Sequence, residues 1–170
     1  MPNREEIERA TAPLVGKALW GCARAVNMVM FDFGERRQSV TFKCTPREVG
    51  EYALHVSCRW RIVRKDRVVV GSRDISYPAG YSDGDEIPEE FDWDRDRSLL
   101  DGLLDLFFEG DAKAYPVRSV EVGLAGGLRI VLSDDFCLEL FPDNSEPCEH
   151  WRLFIPDAHQ PHFVVSGASS

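Results

Sequence analysis

The feature that most constrains the fold is a series of short apolar or alternating runs separated by small polar connections. In the last third of the chain these runs span 117–124, 128–132, 136–141, 151–155 and 163–165. The Gly-Gly, Asp-Asp and Pro-Asp sequences between them are typical of turns. Strands that follow one another through such turns pair antiparallel, because parallel strands need long crossovers. The sequence therefore predicts a mainly antiparallel sheet.

The first half of the chain has the same character. Residues 25–33 form an apolar, β-branched and aromatic run, which predicts a buried strand ending before Gly34. Within residues 52–63 the even positions from 54 to 62 are apolar and positions 55, 57, 59 and 61 are polar, which predicts one half-buried strand. Residues 68–72 follow a charged turn and are expected to return as the hairpin partner of that strand.

Two stretches have the signals of helices. Asn3 with Glu6, and Ser98 with Asp101, have the spacing of an N-cap and its reciprocal partner. We expect a short N-terminal helix and a central helix that ends at Gly110. A chain of 170 residues is the size of one ordinary domain. Residues 1–170 are therefore predicted to form a single α+β domain, mainly antiparallel sheet.

The two halves of the chain also show an internal similarity. Trp60-Arg61 is matched by Trp151-Arg152, and a Val-Val pair with Gly and Ser follows each dipeptide. The similarity relates residues 24–74 to residues 117–167 with loops of different length. It favours two related β-meander units joined by a long loop and the central helix. The alternative is that antiparallel strands simply look alike.

The run ALHVSCRWRIVRKDRVVVGSRD, from Ala53 to Asp74, and the closing EHWRLF, from Glu149 to Phe154, resemble a group of uncharacterised bacterial, chiefly actinobacterial, proteins. The resemblance spans most of the chain, from Leu14 to Phe154. It implies a bacterial cytosolic protein. It carries no catalytic residues across, because that group has no established activity.

Charge is distributed unevenly along the chain. The formal net charge is −9, with 14 basic and 9 acidic residues in 1–74 but 6 basic and 20 acidic residues in 75–170. An acidic chain repels phosphate backbones, so nucleic-acid binding is not expected. Residues 75–98 show neither the helical period of 3.6 residues nor the strand period of 2, and Pro and Gly recur through them. This pattern predicts a long loop. Its aromatic residues argue against disorder.

This loop is the first candidate binding site. Carboxylates such as Asp92, Asp94 and Asp96 would steer a basic protein partner, and Trp93 would anchor it. The alternative is a solvated acidic loop that partly neutralises the basic first half of the chain.

The second candidate is a set of basic side chains on the polar faces of two strands. Arg59 and Arg61 share one face, and Arg152 and His150 would share the face of the equivalent strand. Two such faces side by side could hold an anion through forked hydrogen bonds. The alternative is that these arginines pair with carboxylates on an exposed sheet, where each pair adds about 0–1 kcal/mol.

The remaining patterns give little sign of catalysis or of a bound metal. No G-x-S-x-G, phosphate-binding glycine loop or H-E-x-x-H occurs. No catalytic residues, metal ligands or cofactors are therefore assigned. Whether the protein is an enzyme stays open, and the sequence favours a protein without catalytic activity. The five cysteines lack C-x-x-C spacing, which favours reduced thiols in a cytoplasmic protein. No apolar run is long enough for a membrane span or signal peptide, so membrane association is not expected.

Two hypotheses for the function follow. The first is a non-catalytic binding or regulatory protein of a bacterial cytosol, for which an acidic inhibitor or immunity-type protein facing a basic toxin is one concrete form. The alternative is a small-molecule or anion-binding protein, or a hydrolase with weak sequence signals, with a cleft where the loop meets the two β-units.

Overall fold

The structure, a computed structural model, describes residues 1–40, 45–110 and 112–167. It is an α+β fold in which an antiparallel sheet predominates, as predicted. The helices are α1 (Arg4–Thr11) and α2 (Leu99–Phe108), and the strands are β1 (Ala18–Ala25), β2 (Met28–Phe33), β3 (Arg37–Val40), β4 (Pro46–Val49), β5 (Tyr52–Val56), β6 (Arg59–Arg64), β7 (Arg67–Gly71), β8 (Tyr115–Val122), β9 (Leu128–Leu132), β10 (Phe136–Phe141), β11 (Glu149–Phe154) and β12 (Phe163–Ser166). Short 3₁₀ turns lie at Ala12–Leu14, Ser72–Ser76 and Leu124–Gly126.

Ten of these strands form one sheet in the order β12-β11-β5-β2-β1-β8-β9-β10-β6-β7, and β3 and β4 form a separate two-stranded sheet. The order is symmetric about the central β1–β8 pair. Each three-stranded meander, β1-β2-β5 or β8-β9-β10, takes its outer hairpin from the other half of the chain. Residues 24–74 and 117–167 therefore do not form separate halves of the sheet. The sequence similarity matches β6 with β11, and these two strands also occupy equivalent positions on the two sides of the symmetric order. That the two segments arose by duplication stays a prediction.

The sheet folds over so that its two halves face each other. Phe31 of β2 and Trp60 of β6 lie five positions apart in the strand order, which in a flat sheet would separate them by roughly 24 Å. Their ring centroids are only 5.2 Å apart, in an edge-to-face contact. Trp151 of β11 is fully buried and donates its Nε1–H to the carbonyl oxygen of Gly126 at 2.8 Å. The core lies between the two half-sheets.

The predicted strand over residues 52–63 is in fact two strands, β5 and β6, in opposite halves of the sheet. The chain turns a corner at Ser57 and Cys58, whose backbone N–H groups both donate to the carbonyl oxygen of His150, at 2.9 and 3.0 Å. Leu54, before the corner, and Trp60, after it, are both buried. Alternation did not reveal the corner because the inward side chains stay on even positions across it.

The predicted strand over residues 25–33 was also wrong at its start. Ala25 ends β1, and Val26 and Asn27 form a two-residue turn in which Val26 has φ 57°. The strand β2 begins only at Met28. The turn was missed because it consists of a β-branched residue and an asparagine without the glycine that usually marks a positive φ.

Both helices lie where their capping signals place them. The Asn3 side chain accepts from the Glu6 N–H and the Ser98 side chain from the Asp101 N–H, each with the reciprocal bond. The C-cap of α2 is Glu109, with φ 47°, one residue before the predicted Gly110 stop, which is left-handed as well. Helix α2 buries a stripe of apolar side chains against β7 and β1, made of Leu100, Leu104, Phe107 and Phe108.

Candidate functional site: the acidic loop and its cleft

The stretch from Tyr81 to Asp96, called the acidic loop below, connects the 3₁₀ turn at Ser72–Ser76 with α2 and contains no helix or strand. Its neck is closed by backbone hydrogen bonds. The Ala79 N–H donates to the Arg97 carbonyl oxygen at 3.0 Å, and the Leu99 N–H donates to the Tyr77 carbonyl oxygen at 2.8 Å. A loop whose ends are tied together in this way is compact without regular secondary structure.

Arg24, at the end of β1, anchors the second half of the acidic loop. Its Nε and Nη2 donate to the two carboxylate oxygens of Asp101 at 2.9 and 3.0 Å. Nη1 donates to the carbonyl oxygen of Trp93 at 3.1 Å and Nη2 to that of Asp96 at 3.3 Å. The Arg24 side chain is only 14% exposed. One guanidinium group thus joins the sheet, the loop and the start of α2 in a forked geometry that lysine could not reproduce.

Asp101 is held in its charged form by this arrangement. Burial raises the pKa of its carboxyl group, but the hydrogen bonds from Arg24 and from the backbone and hydroxyl of Ser98 outweigh burial and leave the pKa below its usual value. The Ser98 N–H and Oγ–H both donate to Asp101 Oδ2 at 2.8 Å. The same carboxylate therefore caps α2 and holds the anchor of the acidic loop.

The predicted carboxylates of the loop divide into two kinds. Asp92 and Asp96 support the loop itself, because Asp96 Oδ2 accepts from the Asp92 N–H at 2.9 Å and Asp92 Oδ1 accepts from the Asp94 N–H at 3.0 Å. Asp92 also pairs with Arg95 at 3.5 Å. The side chain of Asp94 makes no hydrogen bond or ion pair with the described residues. Four more loop carboxylates share this property: Asp83, Glu86, Glu89 and Glu90.

Trp93 stands on the surface with 41% of its area exposed, and Ile87 of the same loop is 45% exposed. Trp93 forms one wall of a cleft of about 390 Å³, and Arg59 lies on the same cleft. The structure therefore brings together two of the predicted site residues. The other polar residues lining the cleft are Asn27, Ser57, Ser72, Ser76, Asp143 and Asn144.

The cleft contains one thiol, Cys58, at its buried side. Burial and, to a smaller extent, the negative charge of Asp143 together raise the pKa of this thiol to about 12. Cys58 is thus protonated at neutral pH and lacks the thiolate that nucleophilic chemistry requires. Arg59 pairs with Asp143 at 3.3 Å on the exposed rim of the cleft. Because the thiol is protonated, the polar groups of this cleft are suited to hydrogen bonding.

The structure separates Arg61 from Arg152, so these two residues cannot hold one anion between them. Arg61 alternates with the buried Trp60 on β6, and Arg152 follows the buried Trp151 on β11. Because the half-sheets face each other across the core, the two arginines project in opposite directions. Arg61 pairs with Glu139 at 2.7 Å across to β10, which is the alternative that the sequence left open.

The prediction that His150 lies on a polar strand face was wrong. His150 is only 2% exposed, although its neighbour Trp151 is also buried. The β11–β12 register shifts between Glu149 and Trp151, so two consecutive side chains are buried at this irregularity. No partner for the buried Nδ1 of His150 is found among the described residues.

Arg24 is the functional residue that sequence reasoning missed. Its partners Asp101, Trp93 and Asp96 lie some 70 to 80 residues further along the chain, as their separations of 69, 72 and 77 show. A single arginine at the end of a strand has no local signal. Only the position of the loop over the sheet reveals its role.

No protein-family profile, curated protein or solved structure matches this chain. In the described part of the chain, neither helix has the length and apolar character needed to cross a membrane.

Proposed function

We propose that this chain is a non-catalytic binding protein of the bacterial cytosol, and that the acidic loop docks on a basic surface of a partner protein. The observation that carries the proposal is a contrast within the loop. Arg24 holds the loop backbone in place, while five carboxylates extend from it without partners in the described structure. An acidic inhibitor or immunity-type protein is one form that such a binding protein would take.

The physical logic has two stages. Unpaired carboxylates create a negative potential that accelerates the encounter with a basic surface at low ionic strength. Trp93 and Ile87 then supply apolar area that a partner can bury, and a tryptophan is a typical anchor of such interfaces. Because the loop is already ordered by Arg24 and by its closed neck, binding costs less conformational entropy than it would for a free loop.

The test uses a triple variant of carboxylates that have no structural partner: Glu89→Gln, Glu90→Gln and Asp94→Asn. The matched control changes three exposed carboxylates elsewhere, Glu5→Gln, Asp66→Asn and Glu146→Gln, so the net charge rises equally. Each immobilised protein is used to capture basic proteins from a bacterial lysate at low and high salt. We expect the control to retain the partner and the loop variant to lose it, with binding that weakens as salt rises. Equal capture by both variants would refute the proposal.

A second candidate function has its own observation, the cleft that Arg59 and Trp93 line. Its asparagine and serine side chains and the indole face suit a small polar or anionic ligand. Thermal melting in a panel of inorganic phosphate and nucleotides tests it. A midpoint that rises with one of these compounds, and no longer rises in Arg59→Ala, would support a small-molecule site. A rise that persists in Arg59→Ala, or no rise at all, would count against it.

A further inference from the structure

A second cavity lies on the outer face of the half-sheet that contains β1, β2 and β5. Strand β4 forms one wall, and the cavity volume is about 200 Å³. Ala23 and Ala53 line the sheet side. Their small side chains leave a space that larger residues would fill. None of its lining residues is shared with the cleft beside Trp93.

Polar groups of three kinds converge on this cavity. Asp32 of β2 pairs with Ala53 in the ladder, and His55 of β5 pairs with Met30. Asp32 and His55 are thus diagonal neighbours on one face, within reach of a single small molecule. Arg47 of β4 completes the set from the opposite wall.

Asp32 has a free hydrogen-bonding position. Its Oδ1 accepts from the Gly50 N–H at 2.8 Å, whereas Oδ2 accepts from no described residue. Burial raises the pKa of this carboxyl group, while the Gly50 bond and the charge of Arg47 oppose that rise. A half-buried carboxylate with one partner favours a positively charged hydrogen-bond donor at the other oxygen.

His55 also lacks a partner. Its Nδ1 is buried and makes no hydrogen bond with the described residues. Burial, together with the charges of Arg152, His162 and Arg47, lowers the pKa of its imidazole to about 4. The ring is therefore neutral at pH 7, with one nitrogen that donates and one that accepts.

The other charged groups around the cavity are already paired. Arg152 lies 3.3 Å from Glu149, and Glu48 lies 3.4 Å from Arg36. Arg47 makes no ion pair within the described residues. The cavity therefore presents one carboxylate and one guanidinium group that do not neutralise each other by contact.

From these groups we infer that the cavity binds a small zwitterion of the amino-acid class. The ammonium group of the ligand donates to Asp32, and its carboxylate accepts from Arg47 and from the Nε2–H of His55, since Nδ1 is the ring nitrogen enclosed by protein. The volume of about 200 Å³ corresponds to roughly seven water molecules at about 30 Å³ each, which suits a small amino acid. The inference is independent of the proposed docking function, because the two sites share no residue.

The test is an NMR titration of the full chain with glycine, alanine and serine. Acetate and ethanolamine serve as ligands that carry only one of the two charges. We expect saturable shifts of the amides in β2 and β5 with at least one amino acid, and at least about tenfold weaker binding of both comparators, since each loses a charged contact. Absence of saturation by all three amino acids up to about 10 mM would overturn the inference. Equal binding of acetate would overturn it too, because it would indicate a simple anion site.

Two variants assign the contacts. Asp32→Asn should weaken amino-acid binding about tenfold or more. Arg47→Gln tests the contact with the carboxylate of the ligand. Because Arg47 is exposed, this second variant keeps the test valid if Asp32→Asn does not fold. Asp66→Asn, a surface carboxylate in the β6–β7 turn, is the matched control and should bind as the wild type does. Unchanged binding in Arg47→Gln would contradict the assigned contacts.

Discussion

Replacement of Arg24 by alanine gives the most direct test of how the acidic loop is held. The substitution removes the forked ion pair with Asp101, in which the side chains are 14% and 19% exposed, and the donors to two loop carbonyl groups. A hydrogen bond to a charged group contributes about 1.5–3 kcal/mol to stability. In Arg24→Ala, water binds the freed oxygens of Asp101 and the loop carbonyl groups and recovers part of that free energy. Asp101 also keeps its bonds from Ser98. We expect a loss of about 2–3 kcal/mol in unfolding free energy, or roughly 5–10 °C in melting temperature for a chain of this size.

The effect should be local as well as global. Hydrogen exchange and limited proteolysis should show faster opening at residues 93–98 in Arg24→Ala, because the loop loses its attachment to β1. Arg118→Ala is the matched control, since Arg118 occupies the corresponding strand, β8, but is exposed and has no ion pair within the described residues. Unchanged exchange of the loop in Arg24→Ala, or an equal effect in Arg118→Ala, would refute the anchoring role.

The same experiment has a pH dependence of known sign. The folded-state pKa of Asp101 lies below the ordinary value of 3.8, so its contribution to stability is complete above that value and is lost as the pH falls through the folded-state pKa. The difference in unfolding free energy between wild type and Arg24→Ala should stay constant between pH 7 and pH 5. It should shrink only in acid below pH 3.8.

Three further predictions concern single positions. A Cβ at Gly50 would lie 2.7 Å from backbone atoms of Phe33, so Gly50→Ala should cost about 1–3 kcal/mol in a denaturant titration, whereas Gly102→Ala has open space and should gain up to about 1 kcal/mol. Because the pKa of Cys58 is about 12, iodoacetamide should label Cys58 in the native protein at pH 7.5 far more slowly than in the unfolded chain, as measured by mass spectrometry; equal rates would contradict its burial. The His55 imidazole should titrate near pH 4 by NMR, and stability should fall as the pH drops from 6.5 towards 4, a decline that His55→Phe should reduce.

Local signals in the sequence were sufficient for elements that depend on near neighbours. The α2 cap at Ser98 needs only the side chain three residues later, and the β9–β10 turn needs the left-handed residues Asp134 and Asp135 that it contains. Such elements are determined within a few residues, so a pattern can reveal them. The predominance of antiparallel sheet follows from the same short-range information.

Features that depend on the tertiary arrangement were not accessible. The corner at Ser57 moves the chain from one half-sheet to the other. It leaves the alternation of apolar and polar residues unchanged, because the same side chains face inward on both sides of the corner. The irregularity at Glu149 has the opposite effect, because it buries His150 where alternation alone would leave it outside. The pairing of β5 with β11 and of β6 with β10 is likewise set by contacts across the whole chain.

The candidate site was predicted in the same partial way. Trp93 and Asp94 do lie exposed on an acidic loop, and Arg59 does line a cleft with Trp93. Arg61 and Arg152 were wrongly brought together, because polar faces of two strands reveal nothing about which side of the molecule each strand occupies. Arg24 was missed because its role exists only in three dimensions.

The exchange of outer hairpins between the two halves of the sheet has a consequence for how the chain folds. A fragment that ends before α2 would leave β6 and β7 without β10, and the remaining fragment would leave β11 and β12 without β5. Neither fragment can complete its hydrogen-bonded ladders by itself, so folding must be strongly cooperative and slow, as expected for high contact order. The two fragments should instead reassemble when mixed, since a nick in the surface loop that joins them would cut no strand pairing.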